Sequence, residues 1–158
     1  SHRISRLFRR TRASRSWENG HVLKSLNIRT PSPIALIEER FGFLRGKAYL
    51  ITEYSSGSPA QRLIEKKEFG KEPLWIANLV QAFFDNQLVH GDLKAQNFLI
   101  EDDRACIVDL DSMFEARSTK IHRRHSKKEV ARFFSNWEDR PELLSVFFSH
   151  LKSMDLLD

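Results

Sequence analysis

Four polar side chains in two short segments could together carry out one kind of chemistry. Asp92, Lys94 and Asn97 lie within six positions of one another, and Asp109 follows seventeen residues after Asp92. Transfer of a phosphoryl group needs a carboxylate that orients the attacking hydroxyl, a cation near the transferred group, and oxygen ligands for Mg²⁺. Asp92 and Lys94 would meet the first two needs, and Asn97 with Asp109 would meet the third. These residue types are therefore compatible with phosphoryl transfer.

Each of these residues also has an ordinary structural explanation when it is taken alone. An aspartate in a loop is commonly a turn former, and Asn97 could simply cap the loop before a strand. The combination favours a site, because the residue types, an amphipathic helix before them and a strand-turn-strand leading to Asp109 all agree. The acids of residues 101–103 are instead expected to form a solvated hairpin turn rather than a second metal site.

Other reactive side chains are predicted to be structural. Cys106 lies in an apolar strand pattern and is expected to be a small core residue rather than a nucleophile. His122 and His125 have no carboxylate or cysteine at metal-ligand spacing, so both are expected on the surface. Because Cys106 is the single cysteine of the sequence, an internal disulfide is excluded and a reducing, cytoplasmic compartment is the simplest expectation.

The elements that must position these residues follow from hydrophobic periodicity and turn residues. Apolar side chains before the loop recur at the i, i+3, i+4 spacing of a buried helical stripe, and short apolar runs around a glycine turn favour a β-hairpin. The predicted helices cover residues 4–26, 59–67, 73–87 and 127–139, and a further helix begins at Pro141. The predicted strands are Ile34–Glu39, Ala48–Tyr54, Phe98–Ile100 and Ala105–Leu110. Two pairs of strands separated by helices indicate an α+β fold with separate small sheets rather than an alternating parallel sheet.

The charge of the chain is unevenly distributed. Its 158 residues contain 26 Lys and Arg against 21 Asp and Glu, a formal net charge of +5. Residues 1–24 hold seven basic residues and one acid, and a predicted basic loop at 117–128 holds six basic residues and no acid. Such segments attract phosphate groups or anionic membranes, although a solvated surface gives the same pattern. No apolar run is long enough to span a bilayer.

The segment around Asp92 resembles the catalytic loop of protein-kinase-like enzymes. Residues 90–97 read H-G-D-L-K-A-Q-N, with Gly91 where protein kinases usually have arginine. Residues 109–111 read D-L-D and are similar to the D-F-G motif, whose aspartate binds metal. The resemblance implies catalytic roles for Asp92 and Lys94, metal binding by Asn97 and Asp109, and a structural role for His90.

The predicted hairpin ends in a segment similar to the last N-lobe strand and the interlobe hinge of a kinase. In that comparison Thr52 stands at the gatekeeper position, and the Glu53 carbonyl and the Ser55 amide meet the adenine edge; an ordinary edge strand is the alternative. The implied cofactors are ATP and Mg²⁺. The implied organisation is a partial N-lobe at 1–54, a hinge at 55–58, and a small, mostly helical C-lobe at 59–158.

Further segments resemble one family of this superfamily, the bacterial lipopolysaccharide core kinases of the Kdo/WaaP type. They are Arg15–Trp17, Thr30–Pro33, Tyr49–Tyr54, residues 131–137 and Arg140-Pro141, together with the two motifs above. These enzymes transfer the ATP γ-phosphate to a heptose or Kdo hydroxyl of the inner core. The resemblance implies a sugar or glycolipid acceptor, and peripheral contact of the basic segments 3–15 and 117–128 with an anionic membrane surface would fit it. No nucleic acid partner is expected, because no recognisable reading motif accompanies the two basic segments.

The sequence departs from the family pattern before and within its first helix. The family places a glycine-rich strand pair and a lysine-bearing strand ahead of that helix, and neither precedes it here. Ser16 stands where the helix usually offers a glutamate, with Glu18 on another face. We therefore expect a truncated N-lobe, an αC-like helix plus a β-hairpin, whose missing elements would impair activity. A non-catalytic kinase-like module that binds nucleotide or a partner is the alternative, and nucleic-acid binding ranks last.

Overall fold

The structure is a computed structural model that describes residues 10–42 and 44–152. Its helices are α1 (Arg12–Ser25), α2 (Glu72–Asp85), α3 (Thr119–Ser135) and α4 (Pro141–Leu151). Its strands are β1 (Pro33–Phe41), β2 (Leu44–Thr52), β3 (Ser58–Pro59), β4 (Leu88–Val89), β5 (Phe98–Glu101), β6 (Arg104–Ile107) and β7 (Phe114–Glu115). Within the described residues the strands form three antiparallel sheets, ordered β1-β2, β3-β5-β6 and β4-β7. The predicted α+β class is confirmed.

Helix α1 begins later than the sequence pattern predicts. The Thr11 side chain accepts a hydrogen bond from the Ser14 amide at 3.0 Å, so Thr11 is the N-cap and Arg12 is the first helical residue. The prediction that the helix already includes residues 10 and 11 is therefore wrong. The earlier part of the predicted helix, residues 4–9, lies outside the described ranges. The helix ends before Asn27, which has a left-handed φ of 56°.

The hairpin β1-β2 is confirmed, and its turn is shorter than the interval 40–47 that separates the two predicted strands. Pro33 pairs with Thr52 at one end, and Phe41 pairs with Leu44 at the other. Strand β2 ends at Thr52, before the predicted Tyr54, and the Glu53 amide then donates to Ser32 at 2.9 Å. This hydrogen bond holds the chain two residues before the predicted hinge against the segment that leads into β1.

Helix α3 corrects the prediction of a basic loop at 117–128. The Ser118 side chain caps the helix by accepting from the Ile121 amide at 3.4 Å. The buried positions of α3 are His122, Ser126, Val130 and Phe133, which are spaced as on one face of a helix. Because His122 and Ser126 are polar, a search for periodic apolar residues does not detect this face. The surface position predicted for His122 is wrong, since its side chain is buried beside Phe84 with ring centroids 5.0 Å apart. His125 is exposed as predicted.

An aromatic cluster holds the C-terminal half of α3 in the core. Phe133 lies at its centre, with ring centroids 5.9 Å from Phe98, 4.8 Å from Phe147 and 6.0 Å from Trp137. All four side chains are fully buried, as the predicted core stripes require. Because Phe133 is anchored in this way, the residues one turn earlier on α3 are held at a fixed height beside the loop that follows β4.

The remaining differences concern short elements. The predicted helix 59–67 is a 3₁₀ turn over Ala60–Ile64, and β6 ends at Ile107 rather than at Leu110. A 3₁₀ turn over Leu110–Ser112 replaces the end of that strand. None of the helices in the described ranges has the length and apolarity that crossing a lipid bilayer requires. The division into lobes at residues 54 and 59 stays a prediction.

Candidate active site

His90 is the buried centre of the candidate site. Its ring is fully buried, with Nε2 donating to the Val108 carbonyl at 3.0 Å and Nδ1 accepting from the Asp92 amide at 3.3 Å. Burial lowers the pKa of His90, and the carboxylates of Asp92 and Asp109 act in the opposite direction. The ring is therefore neutral at pH 7, and both carboxylates lie close enough to influence it. His90 links the loop of residues 90–97 to the segment that carries Asp109.

Asp92 is partly exposed and contacts two cationic side chains. Its Oδ2 lies 2.9 Å from Lys94 Nζ, and its Oδ1 lies 3.1 Å from Arg132 Nη1. Its main-chain carbonyl accepts from Asn97 Nδ2 at 2.8 Å. The structure thus brings three of the predicted site residues, Asp92, Lys94 and Asn97, into direct contact, and adds Arg132, which the sequence pattern did not single out.

Asn97 and Asp109 offer oxygen atoms on neighbouring segments. The Val108 amide donates to the Asn97 main-chain carbonyl at 2.9 Å, so the two segments run side by side. Asn97 is buried and its amide nitrogen is used by Asp92, which leaves the side-chain carbonyl oxygen as a possible ligand. Asp109 is exposed and has a left-handed backbone, with φ 62°. Carboxylate and carbonyl oxygens are the donors that Mg²⁺ takes.

The described residues contain no group of three or more His, Cys, Asp or Glu side chains arranged to hold a metal ion. The acidic turn at 101–103 is solvated at Asp102 and Asp103, as predicted. Glu101 is half-buried, and its side chain accepts a hydrogen bond from Ser55 Oγ at 2.5 Å.

Helix α1 holds the turn that follows Asp109. Asn19 Nδ2 donates to the carbonyls of Leu110 and Met113 at 2.7 and 2.9 Å. Arg12 forms an ion pair with the buried Asp111. Although burial raises the pKa of Asp111, the hydrogen bonds from Arg12 and Ser112 outweigh this effect and hold the pKa below its usual value. The third residue of the D-L-D motif is therefore an ionised anchor for α1.

Glu129 of α3 anchors the other side of the loop. Its carboxylate accepts hydrogen bonds from the His90 amide at 3.0 Å and from the Gly91 amide. Burial raises the pKa of Glu129 to about 7, although the two amides and Arg132 oppose this shift. Sequence reasoning missed this residue, and one signal was present: Glu129 is the single acid in the otherwise basic stretch 117–132.

Glu129 should make the stability of the protein depend on pH. Its pKa is about 7 in the folded state against 4.5 for an unperturbed glutamate, so its contribution is complete below pH 4.5 and is lost as the pH rises through 7. Urea unfolding at pH 5 and pH 8 should show that Glu129→Gln gains about 2–3 kcal/mol relative to the wild type over this interval. The exposed Glu115→Gln should show no such gain, and parallel pH profiles for Glu129→Gln and wild type would contradict the assignment.

The predicted nucleotide-binding residues fall in different places. Thr52 lines a cavity of about 200 Å³ together with Ser16, Leu50 and Asp109. Glu53 lines a separate recess with Lys24 and Arg29. The Ser55 side chain bonds to Glu101 and accepts from the Gly57 amide at 3.3 Å, which ties the predicted hinge to β5. The cavity thus joins Thr52 to Asp109, whereas Glu53 and Ser55 lie outside its lining.

Comparison with known proteins gives matches of two kinds. The model of the lipopolysaccharide kinase (Kdo/WaaP) family matches residues 1–141. The chain is similar to the structure of WaaP in complex with acyl carrier protein, with a TM-score of 0.62 and 18% identity over 87% of this chain and 66% of that one. It is also similar to the Rio2 kinase–ADP/Mg²⁺–phosphoaspartate complex from Chaetomium thermophilum, with a TM-score of 0.59 and 14% identity over 90% of this chain and 48% of that one.

A third similar structure, WbdD, has a TM-score of 0.50 and 16% identity over 89% of this chain and 37% of that one. No curated protein sequence gives a significant match. The chain spans less than two thirds of the length of each of these three solved chains. At such low identities the structural likeness shows the fold, which is protein-kinase-like. The family model covers nearly the whole sequence, and the chain therefore belongs to the lipopolysaccharide kinase (Kdo/WaaP) family.

Proposed function

We propose that this chain supports ATP-dependent phosphoryl transfer to a sugar hydroxyl of the lipopolysaccharide inner core, on heptose or Kdo. Membership of the Kdo/WaaP family supports a kinase of this pathway. The observation that carries the proposal is the arrangement around the buried ring of His90, which bonds to the Asp92 amide at 3.3 Å and to the carbonyl of Val108, the residue before Asp109, at 3.0 Å. Asn97, bonded to the Asp92 carbonyl at 2.8 Å, adds an amide oxygen at the same place.

The residues divide into two sets with different tasks. Asp92 would accept a hydrogen bond from the attacking hydroxyl and orient it. Lys94, 2.9 Å from Asp92, would stabilise negative charge on the transferred group. Asn97 and Asp109 would hold Mg²⁺ through their oxygens, and the cation would neutralise charge on the phosphates of ATP when both are bound. His90 would keep the two segments in register.

The nucleotide would lie between the hairpin and the loop. Thr52 would stand at the back of the adenine site, since it lines a cavity with Asp109. The Glu53 carbonyl and the Ser55 amide would contact the adenine edge. The presence of ADP and Mg²⁺ in the similar Rio2 structure supports ATP and Mg²⁺ as the cofactors of this fold.

The acceptor would be a sugar or glycolipid at the cytoplasmic side of the inner membrane. Helix α3 exposes basic side chains that would favour an anionic surface, namely Lys120, Arg124, Lys127 and Lys128. The other predicted basic segment, 3–15, is described only from Arg10 onward, and two of its cations already pair with Glu18 and Asp111. Among the described residues, α3 therefore offers the larger set of exposed basic side chains for peripheral membrane contact. The similar WaaP structure contains acyl carrier protein, which makes that protein a second partner to test.

The test is a transfer assay with γ-labelled ATP, Mg²⁺ and dephosphorylated inner-core oligosaccharide. We expect label in the oligosaccharide, with separate heptose and Kdo acceptors identifying the sugar. Absence of transfer to either acceptor, by a protein that binds Mg-ATP, would contradict the kinase proposal and would favour the alternative below.

A non-catalytic nucleotide- or partner-binding module is the second candidate. It is favoured by one observation at α1, where Ser16 rather than an acid lines the cavity beside Asp109. The nearby Glu18 instead forms an ion pair with Arg10 on the surface. A kinase whose first helix presents no carboxylate to the phosphate site would bind nucleotide with reduced ability to position it.

A further inference from the structure

The carboxylate of Asp92 has a cation on each of its oxygens. Lys94 contacts Oδ2 at 2.9 Å and Arg132 contacts Oδ1 at 3.1 Å. Lys94 belongs to the same loop and has a proposed role toward the transferred phosphoryl group. Arg132 comes from α3, 40 residues further along the chain, and has no role in the phosphotransfer chemistry described above.

Arg132 is held in register with the loop. Its Nη1 also donates to the Gly91 carbonyl at 3.3 Å, and Glu129, one turn earlier on the same helix, accepts from the amides of His90 and Gly91. Helix α3 therefore binds the loop through two amides and one carbonyl of the loop. The same helix places the Arg132 guanidinium next to Asp92. The height of this guanidinium is fixed because Phe133, the next residue, is buried in the aromatic cluster.

Most of the donor capacity of Arg132 remains available. A guanidinium has five N–H donors, and among the described residues only those of Nη1 have a partner. The side chain is 51% exposed, whereas that of Asp92 is 27% exposed. A pair exposed to this extent contributes little to stability. Folding alone therefore does not explain a guanidinium that contacts the proposed catalytic carboxylate and whose Nε and Nη2 have no hydrogen-bond partner among the described residues.

We infer that Arg132 binds an anionic group of the acceptor, a carboxylate or a phosphate, while the acceptor hydroxyl lies at Asp92. This inference rests on the proposed function, since it places the acceptor at Asp92. The planar guanidinium matches both anions through two parallel hydrogen bonds, which a lysine cannot reproduce. Arg132 is thus a specificity-determining residue that selects an acidic sugar over a neutral one.

Binding of free sugars, measured by calorimetry without nucleotide, tests the inference. The carboxylate arm compares Kdo, an acidic sugar, with its neutral methyl ester, and the phosphate arm compares a heptose phosphate with heptose. We expect the wild type to prefer the anionic member of one pair by about tenfold, as a charge-assisted bidentate contact would give. Arg132→Gln should reduce this preference to about twofold or less, and Arg132→Lys should retain part of it.

Lys67→Gln is the control, because it removes one exposed positive charge from the loop that precedes α2. It should behave like the wild type. Equal affinity of the wild type for anionic and neutral sugars would overturn the inference. So would an Arg132→Gln variant that lowers kcat for every acceptor alike and keeps the preference, since Arg132 would then only position Asp92.

The inference and the proposed function can fail separately. If the wild type prefers the anionic sugar through Arg132 but transfers no phosphate from Mg-ATP, the proposed function fails and the binding site stands. If transfer occurs and KM does not differ within either pair, Kdo against its methyl ester or heptose phosphate against heptose, the proposed function stands. The role inferred for Arg132 is then wrong.

Discussion

Replacing Asp92 by asparagine should lower kcat for phosphoryl transfer by about 10²–10⁴, the usual contribution of a positioned acid-base group. Asparagine has the same shape but cannot accept the proton of the attacking hydroxyl. The KM for ATP should change little, because the nucleotide and Mg²⁺ are assigned to residues other than Asp92. Steady-state transfer to an inner-core acceptor, with ATP and acceptor varied separately, measures both quantities.

The control for this experiment is Asp102→Asn, which removes a carboxylate from the solvated turn after β5. It should leave kcat and both KM values unchanged. Because Asp92 is partly exposed, its substitution should also leave the melting temperature nearly unchanged. A kcat for Asp92→Asn within about threefold of the wild type would remove Asp92 from the catalytic step.

Substitution of Gly91 by alanine should destabilise the protein by about 2–5 kcal/mol, the sum of a left-handed backbone and an overpacked side chain. Gly91 has φ 87°, and a Cβ there would come within 2.8 Å of both Ser112 Cβ and the Ser112 carbonyl oxygen. Ser112 ends the turn that follows Asp109, so relief of the overlap would move this turn or the loop. Urea unfolding gives the stability, and the transfer assay should show that activity falls as well.

Gly42→Ala separates the two contributions. Gly42 also has a left-handed φ, 59°, but a Cβ there would meet no atom within 4 Å. Its substitution should cost only the backbone strain, about 1–2 kcal/mol. If Gly91→Ala costs no more than Gly42→Ala, the close approach to Ser112 is not a constraint. The same overlap explains why this protein has glycine where protein kinases usually have arginine.

Local patterns predicted most of the elements that carry the motifs. The hairpin β1-β2 follows from two apolar runs around a glycine turn, and α2 follows from a stripe that is buried in the structure. The motif residues Asp92, Lys94 and Asn97 are only a few positions apart, so their proximity depends on one short loop. That part of the site could be recognised without knowledge of the tertiary structure.

The supports of the loop could not be recognised in the same way. Glu129 bonds to His90 from 39 residues away, and Asn19 bonds to Leu110 from 91 residues away. Contacts over such distances depend on how α1 and α3 pack, which hydrophobic periodicity does not specify. The periodicity of α3 is itself hidden, because its first two buried turns contain His122 and Ser126 rather than apolar residues. The same concealment produced the wrong prediction of a basic loop.

The most direct measurement is a calorimetric titration of the wild type and of Asp109→Asn with ATP, in the presence and absence of Mg²⁺. Asparagine tolerates the left-handed backbone at position 109, so this substitution removes the charge without adding strain. Binding of ATP by the wild type should require Mg²⁺, and Asp109→Asn should bind at least about tenfold more weakly, as expected when a carboxylate ligand of the cation is lost. Identical isotherms for the two proteins, or wild-type binding that is indifferent to Mg²⁺, would contradict a magnesium-nucleotide site at Asp109 and Asn97.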